Sequence, residues 1–365
     1  MKVQKIILFS NPFGYGPTTT LIHIAEELLK RTDVELIVAG KEDGLCREIF
    51  KNSTKDIPWQ DVNERDIGEI KRFLSSQENC AVISILNRFS IQVANELGIP
   101  CVLIDFLAWF WEKPAQEYGY ADIYFTNYLG REIRQINNHT IDVPIILGPI
   151  PQRNEEDIIL INIGGSQNPL VEGIPVNYLT LFSKIINGLN FKGSKVFIAG
   201  GIKATDFIRS QISDSSYNIA SYQHKDFLNL HAKAKRFISL SGTNATFMSF
   251  ALDIPTIFLL PQLLAHWKLS ILLKEMGIKD ILMWEDYYQI SNDQYHCSEK
   301  ETVPFTEDLS TKTMADSGKM TDLIGKIQTW LEISPNTSTQ KEFIRKIGVG
   351  GEKEVVSILI DRWEL

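Results

Sequence analysis

Cysteine is scarce in this sequence, and the four that occur are far apart: Cys46, Cys80, Cys101 and Cys297. No two of them have the C-x-x-C spacing, so the sequence predicts neither a zinc site nor a disulfide framework. Apolar runs are short as well, and none approaches the roughly 20 residues that a membrane-spanning helix needs. The apolar run at the N-terminus is too short for a signal peptide and is typical of a first strand. We therefore expect a soluble, cytoplasmic protein.

An excess of positive charge is also lacking. Lys and Arg number 37 against 45 Asp and Glu, which gives a formal net charge of −8. A protein that binds nucleic acid through a basic surface needs the opposite balance, so we expect no nucleic-acid partner. The 365 residues are 44% hydrophobic, which is enough for the cores of two domains of ordinary size.

The sequence does contain a regular alternation of apolar strands and amphipathic helices. This alternation indicates an α/β protein with a parallel sheet covered on both faces. In the first half, strands are predicted at residues 5–10, 34–39, 80–86, 101–105 and 122–126, and helices at 18–30 (with Thr18 as its cap), 64–74 and 91–97. Ligands of such sheets bind beyond the carboxyl ends of the strands, which places residues 14–18, Asn87, Asp105 and Asn127 along one edge.

A proline-rich stretch at residues 147–156 precedes a new strand and marks the predicted domain boundary. We expect an N-terminal domain over residues 1–149, a C-terminal domain over 150–345 and a last helical segment over 346–365. In the second half, strands are predicted at 157–163 and 195–199, and helices at 178–188, 204–211, 267–276, 322–331 and 352–363. Residues 287–320 are polar and aperiodic, so we predict that they include a loose loop.

Two turns of small residues follow predicted strands of the second half. The first consists of Gly164, Gly165, Ser166 and Gln167, and the second consists of Ser241, Gly242, Thr243 and Asn244, just before a helix predicted at 245–252. Glycine lets a backbone approach a ligand closely, and the N–H groups at a helix start attract phosphate. Taken alone, each turn is explained equally well as an ordinary crossover between a strand and a helix.

Together the two turns resemble the donor-binding half of GT-B glycosyltransferases. The first is similar to the glycine turn of the lipid II-forming N-acetylglucosaminyltransferases. Residues 241–246, with the turn at 253–255, are similar to the donor signature of those enzymes and of the UDP-glycosyltransferases. The resemblance implies two Rossmann-like domains that face a central cleft, an acceptor in the first domain and a nucleotide sugar in the second. It also implies a last helix that crosses back to the first domain, with no metal and no cofactor.

The resemblance further implies a set of donor-binding residues, some of which depart from the family pattern. Met248 stands where these families usually have a glutamate that holds the ribose hydroxyls, and methionine cannot accept those hydrogen bonds. The nucleoside is then held differently, or the donor is not a standard UDP-sugar. Tyr222 is placed to stack on the base, and a surface loop is its alternative. The implied donor-binding residues are Gly164, Gly165, Ser166, Gln167, Tyr222, Ser241, Gly242, Thr243, Asn244, Thr246, Gln262 and His266, of which His266 has a structural role as its alternative.

The acceptor side is predicted from the loop after the first strand and from an aromatic run at residues 106–111. The predicted acceptor-binding residues are Phe13, Gly14, Tyr15, Gly16, Trp109 and Trp111. The aromatic run is equally compatible with core packing or with a patch that docks on a membrane.

The first loop lacks the histidine that related enzymes use as a general base. Asp105 is therefore the predicted base, because burial at a strand end raises the pKa of a carboxyl group toward the working range. Glu112 is the second candidate base. A helix cap or a loop hydrogen bond is the alternative role for Asp105.

These features predict a metal-independent glycosyltransferase that moves a sugar from a nucleotide-diphosphate sugar, expected to be a UDP-sugar, to a small acceptor. The first loop and the aromatic run also resemble the cytosylglucuronate synthases of nucleoside-antibiotic pathways, which implies a pyrimidine acceptor and a UDP-hexuronic acid donor. A nucleotide-sugar hydrolase on the same fold and a non-catalytic nucleotide-binding protein are the alternatives.

Overall fold

The computed structural model describes residues 3–51, 57–132, 134–166, 173–291, 298–333 and 335–365. The chain forms two compact units. Met1–Pro149 and Arg345–Leu365 make up the first unit, and Ile150–Ile344 make up the second. Each unit is built around one parallel sheet, so the predicted α/β class is confirmed.

The strands of the described residues are numbered in chain order. They are β1 (Lys5–Ser10), β2 (Glu35–Gly40), β3 (Trp59–Asp61), β4 (Cys80–Ile85), β5 (Cys101–Asp105), β6 (Ile123–Thr126), β7 (Thr140–Asp142), β8 (Ile158–Asn162), β9 (Lys195–Ala199), β10 (Asn218–Ala220), β11 (Arg236–Ser239) and β12 (Thr256–Phe258).

The helices bury an apolar stripe against these sheets, as α1 does with Leu21, Ala25 and Leu28, while Lys30 and Arg31 lie exposed at its end. In the described residues they are α1 (Gly16–Arg31), α2 (Leu45–Lys51), α3 (Ile67–Leu74), α4 (Arg88–Glu96), α5 (Val176–Gly188), α6 (Ile202–Gln211), α7 (His224–Lys233), α8 (Thr243–Ala251), α9 (Leu264–Glu275), α10 (Glu299–Ala315), α11 (Ser317–Glu332), α12 (Ser338–Ile347) and α13 (Gly351–Trp363).

The sheet of the first unit has the strand order β3-β2-β1-β4-β5-β6-β7. Ile7 of β1 pairs with Ile37 on one side and with Val82 on the other, and all three strands carry buried apolar residues. The last helix, α13, packs in this unit, where Val355 and Leu359 share a core with the inward face of α1. The loops after β1, β4 and β5 therefore meet at one edge of the sheet.

The sheet of the second unit has the strand order β10-β9-β8-β11-β12. In the middle lies β8, where Ile161 pairs with Ile198 of β9 on one side and with Ile238 of β11 on the other. Since all these strands are parallel, the turns that follow β8, β9 and β11 lie side by side. This arrangement brings the two predicted glycine turns to the same edge.

The stretch at residues 287–320, predicted to include a loose loop, is mostly helical, although residues 287–291 lie outside helices and strands. Residues 299–315 form α10 and residue 317 begins α11, while 292–297 lie outside the described residues. The inward face of α10 carries Thr and Ser as well as apolar residues, so no apolar period is visible in the sequence. These hydroxyls are satisfied inside the helix, as when Ser310 donates to the carbonyl oxygen of Thr306 at 2.7 Å.

The predicted cap of the first helix is wrong. The helix α1 begins at Gly16 with Pro17 in its first turn, where a fixed φ and a missing N–H group fit well. Thr18 lies inside the helix, fully buried, with its Oγ1 atom 3.3 Å from Oγ of Ser10. The sequence also failed to predict α2, β3, β7 and β10, because segments this short carry little periodic signal, and the ten-residue helix α12 was not predicted either.

A buried histidine of the second unit gives a prediction about stability. His231 is fully buried against Phe237, with ring centroids 4.2 Å apart, and neither of its ring nitrogens has a partner among the described residues. Burial lowers the pKa of His231 to about 3. The unfolded state therefore binds a proton that the folded state does not, and this group removes stability as the pH falls below about 6.5.

We expect the free energy of unfolding to lose about 2 kcal/mol through His231 between pH 7 and pH 5, at about 1.4 kcal/mol for each full pH unit. His231→Phe keeps the ring contacts and should lack this loss. Urea unfolding at the two pH values measures the difference, with the exposed His139→Phe as the matched control. An equal pH dependence in wild type and His231→Phe would contradict the prediction.

Candidate functional site

The turn after β8 is held in an unusual backbone conformation. Gly164 has φ +64°, and Ser166 has φ +48°. The N–H group of Gly164 donates to Oδ1 of Asn162 at 3.1 Å, and its carbonyl oxygen accepts from the N–H group of Gly201 at 3.0 Å. Ser166 is buried, and its hydroxyl donates to the carbonyl oxygen of Ile163. Gly165 is buried between them, and Gln167 lies outside the described residues.

The turn after β11 leads directly into α8. Gly242 is the residue before the helix, with φ −79°, and the helix starts at Thr243 rather than at Ala245 as predicted. The first intrahelical hydrogen bond joins the N–H group of Thr246 to the carbonyl oxygen of Gly242, so the N–H groups of residues 243–245 precede the helical ladder. Within the described part of the chain, no side chain caps this end of α8. An uncapped helix start is a natural site for an anion.

Asn162 joins the two turns, and the sequence reading missed it. Its Oδ1 atom holds Gly164, its Nδ2 atom donates to Oγ of Ser239 at 3.2 Å, and its carbonyl oxygen accepts from Leu240. Gly201, which holds Gly164 from the end of β9, was missed as well. The sequence signal for Asn162 was an asparagine at the end of a strand, close before a double glycine. The signal for Gly201 was the second double glycine, at residues 200–201.

The hydroxyl groups near α8 differ in their environments. Ser241 is buried, and its Oγ atom already bonds the carbonyl oxygen of His266 and Oγ of Ser270, both at 2.8 Å. Thr246 is fully buried, and its Oγ1 atom has no partner in the ranges that the structure describes. Ser241 therefore fixes the start of α9 against the turn, whereas the Thr246 hydroxyl retains unused hydrogen-bonding capacity.

Two further predicted donor residues lie at the start of α9. Gln262 is 1% exposed, and its Oε1 atom is buried without a partner in the described ranges. Nδ1 of His266 is likewise buried without a hydrogen-bond partner in the described ranges. Burial lowers the pKa of His266 to about 4. His266 is therefore a neutral imidazole near pH 7, able to donate or to accept a hydrogen bond.

Glu299 completes this region and was missed, because it lies in the polar, aperiodic stretch at residues 287–320, for which no helix was predicted. Its Oε2 atom accepts from the N–H group of Leu264 at 3.0 Å, and the N–H group of Ala265 also lies against the carboxyl. Burial raises the pKa of Glu299 to about 7. The S-x-x-E capping pattern from Ser298 to Glu301 was the available signal.

Tyr222 takes a different position from the other predicted donor residues. Its hydroxyl donates to the carbonyl oxygen of Asn218 at 3.4 Å, so the side chain points back toward the start of β10. There it lines a cavity of about 510 Å³ along the outer strand, together with Arg209 and Tyr217. The structure therefore does not bring the Tyr222 hydroxyl to the glycine turns.

In the first unit, the loop after β1 leads into α1 at the carboxyl edge of the sheet. Phe13, Gly14, Tyr15 and Gly16 are all partly exposed, and Gly14 has φ +59°. A Cβ atom at Gly16 would lie 3.5 Å from Cζ of Phe106. The structure thus brings the first loop against the aromatic segment, our name for residues Phe106–Trp111.

Asp105 lies at the end of β5, immediately before the aromatic segment. It is 0% exposed, and both of its carboxylate oxygens are occupied: Oδ1 accepts from the N–H group of Leu107 at 2.8 Å, and Oδ2 accepts from the hydroxyl of Tyr124 at 2.6 Å. Burial raises the pKa of Asp105 to about 6, and these two hydrogen bonds oppose the rise. The indole N–H of Trp111 faces the same carboxyl and lowers its pKa, although it forms no well-aligned hydrogen bond there.

The aromatic segment itself is only partly buried. Trp109 is buried and donates from Nε1 to the carbonyl oxygen of Phe106, whereas Phe106, Phe110 and Trp111 are partly exposed. Both indoles stand nearly at right angles to Phe110. Glu112, the second predicted base, is exposed beyond the segment.

No group of three or more His, Cys, Asp or Glu arranged to hold a metal ion occurs in the residues that the structure describes. None of the described helices is both long and apolar enough to cross a bilayer. Cys101 is buried without a disulfide, and burial raises its pKa to about 12.

Solved structures with this architecture decide the fold. The UDP complex of UGT89C1 from Arabidopsis thaliana is 10% identical, with a TM-score of 0.65 over 99% of this chain and 100% of that one. MurG from Acinetobacter baumannii is 11% identical, with a TM-score of 0.56 over 98% and 99% of the two chains. The chain has the GT-B fold. The thymidine diphosphate complex of the spinosyn rhamnosyltransferase SpnG, at 12% identity and a TM-score of 0.53 over 94% and 99%, has the same fold.

The GT-B architecture implied by the resemblance of the glycine turns is thus confirmed. No family model and no curated protein matches the sequence. At these identities the similarity establishes the GT-B fold, and the roles of individual residues rest on the geometry described above.

The open space at Gly242 predicts that a larger residue there weakens ligand binding and leaves the fold intact. Within the described residues, nothing lies within 4 Å of a Cβ atom built at Gly242, so Gly242→Val should fold, with a stability change under about 1 kcal/mol. The valine side chain would occupy the space beside the first N–H groups of α8. With UDP as the diphosphate probe for this helix start, we expect the substitution to lower the affinity about 10- to 100-fold, which is about 1.4–2.8 kcal/mol.

Titration calorimetry measures this change. The matched control is Gly325→Val in α11, where a Cβ atom likewise meets no described atom within 4 Å. Equal UDP affinity in a folded Gly242→Val protein and in the control would show that α8 does not bind the nucleotide.

Proposed function

We propose that this protein is a glycosyltransferase that transfers a sugar from a nucleotide-diphosphate sugar to a small acceptor. The observation that carries the proposal is the uncapped start of α8 beside the Gly164 turn, on a chain with the GT-B fold. In this account the second unit binds the donor and the first unit binds the acceptor.

The donor diphosphate is held by backbone N–H groups of residues 243–245 and by the Thr246 hydroxyl. The charge of the diphosphate favours the positive end of the α8 dipole, and the backbone there needs no rearrangement to meet it. The turn at Gly164, Gly165 and Ser166 is held beside α8 by Asn162 and supplies the second wall. Such an arrangement neutralises phosphate without a metal ion.

The sugar of the donor is assigned to Gln262 and His266. Both have buried polar atoms without partners in the described ranges, and sugar hydroxyl groups both donate and accept hydrogen bonds. The ribose is held differently from the pattern of the UDP-glycosyltransferases, since Met248 is 3% exposed and has no oxygen to accept a hydrogen bond. UDP is the proposed nucleotide of the donor, and thymidine diphosphate is the alternative, because the solved neighbours include complexes with each.

The acceptor is assigned to the first loop, Phe13–Gly16, and to the partly exposed rings of the aromatic segment, Trp111 among them, whereas Trp109 is buried and is not assigned to the acceptor. A pyrimidine acceptor, as the resemblance to cytosylglucuronate synthases implies, is one planar molecule that fits this assignment. A nucleotide-sugar hydrolase differs only in using water in place of the acceptor, and the geometry at the glycine turns supports both reactions.

A thermal-shift screen of UDP, thymidine diphosphate and their sugars tests the donor assignment. A ligand at 100 times its dissociation constant adds about 2.7 kcal/mol of stability, which raises the midpoint of the unit that binds it. Stabilisation by nucleotide sugars, and none by adenosine or guanosine diphosphate, is expected. If no nucleotide raises the midpoint, the proposed function fails.

Product analysis then separates the transferase from the hydrolase. We expect turnover of the nucleotide sugar to depend on added acceptor and to persist in excess EDTA, because backbone N–H groups neutralise the diphosphate. Free sugar released at the same rate without any acceptor would instead assign a hydrolase. Loss of turnover in EDTA, restored by added Mg²⁺, would overturn the metal-independent mechanism.

A further inference from the structure

The aromatic segment is fastened at its start by Asp105. One carboxylate oxygen holds the N–H group of Leu107 at 2.8 Å, and the other holds the hydroxyl of Tyr124 on β6 at 2.6 Å. Tyr124 is itself fully buried in the sheet. Asp105 thus ties the first turn of the segment to the adjacent strand.

Arg134 fastens the other end of the segment. Its Nη1 atom donates to the carbonyl oxygen of Trp111 at 2.9 Å and to that of Glu112 at 3.1 Å. The carbonyl oxygen of Arg134 accepts from the hydroxyl of Tyr128 at 2.8 Å, which anchors the arginine in turn. Two independent sets of hydrogen bonds therefore fix six consecutive residues that carry no charge.

The segment that is fixed in this way lies at the ligand edge of the sheet. The ring of Phe106 lies near Gly16, where an added Cβ atom would be 3.5 Å from Cζ, and the side chains of Phe106, Phe110 and Trp111 remain partly exposed. Aromatic rings held rigidly lose little conformational freedom when a flat molecule stacks on them. A segment that only filled the core would not need partly exposed rings.

We propose that Asp105 and Arg134 are positioning residues that hold the aromatic segment as a preformed wall for a planar, uncharged acceptor. This inference rests on the proposed function. It assigns Asp105 a role that differs from the general base expected from the sequence, because a base must reach the proton it removes. No carboxylate atom of Asp105 is exposed, and both oxygens are already bonded within the protein.

Binding calorimetry tests the wall without any nucleotide sugar. The probes are 2-naphthol, which is planar, and decahydro-2-naphthol, which has the same skeleton without aromatic rings. We expect wild type to bind 2-naphthol about tenfold more tightly than the saturated alcohol. Arg134→Gln and Tyr124→Phe should each weaken 2-naphthol binding about fivefold to tenfold and leave UDP affinity unchanged.

Matched controls show whether the effect belongs to the segment. Tyr118→Phe removes a buried hydroxyl that bonds the carbonyl oxygen of Leu86, and Arg362→Gln removes an exposed arginine of α13. Both should bind 2-naphthol as wild type does. Equal affinity for the two probes in wild type, or equal effects in the variants and their controls, would overturn the proposal whether or not the protein proves to be a transferase.

The kinetics of Asp105→Asn separate positioning from base catalysis. As a positioning residue, Asp105 affects mainly the acceptor KM, so KM should rise about fivefold to tenfold while kcat at saturating acceptor and its pH profile stay close to wild type. A fall in kcat of about two to four orders of magnitude, with loss of the acidic limb of the pH profile, would instead make Asp105 the base.

Discussion

In the proposed function, donor binding by the second unit depends on backbone N–H groups that precede the hydrogen-bond ladder of α8. A diphosphate is costly to desolvate, and an uncapped helix start offers donors and a favourable dipole at no cost in side-chain entropy. The sheet order makes this possible, because β8 lies between β9 and β11 and brings the turns after all three together. Asn162 then fixes the separation of two of these turns by bonding to Gly164 and to Ser239.

In the first unit, the constraint is that aromatic rings stay partly exposed at the edge of the sheet and are not buried in the core. A buried carboxyl at Asp105 and an exposed guanidinium at Arg134 bond the two ends of the aromatic segment. Burial raises the pKa of Asp105 to about 6, so the hydrogen bonds from Leu107 and Tyr124 are what keep the ionised form favourable near neutral pH. A partly exposed set of rings beside Gly16 is the result.

Much of this fold follows from the sequence, because buried strands such as β1, β5 and β9 are apolar runs that a pattern identifies directly. The stretch that became α10 was missed, since Thr306, Ser310 and Thr313 bury hydroxyls that bond within the helix and hide its period. The glycine turns could be identified from the sequence, because a glycine at a strand end allows a tight turn and a close approach of the backbone to a ligand. Glu299 and Arg134 were not identified, because their roles depend on contacts between residues distant in the sequence, such as Arg134 with Trp111. Asn162 was not identified either, because its link between the two turns depends on its contact with the distant Ser239.

Hydrogen–deuterium exchange with and without saturating UDP tests the central claim most directly, since it reports on the backbone N–H groups themselves. The account predicts slower exchange in residues 242–246 and 164–166 when UDP is bound. Exchange in those two segments that is unchanged by UDP, with protection confined to other parts of the chain, would contradict it.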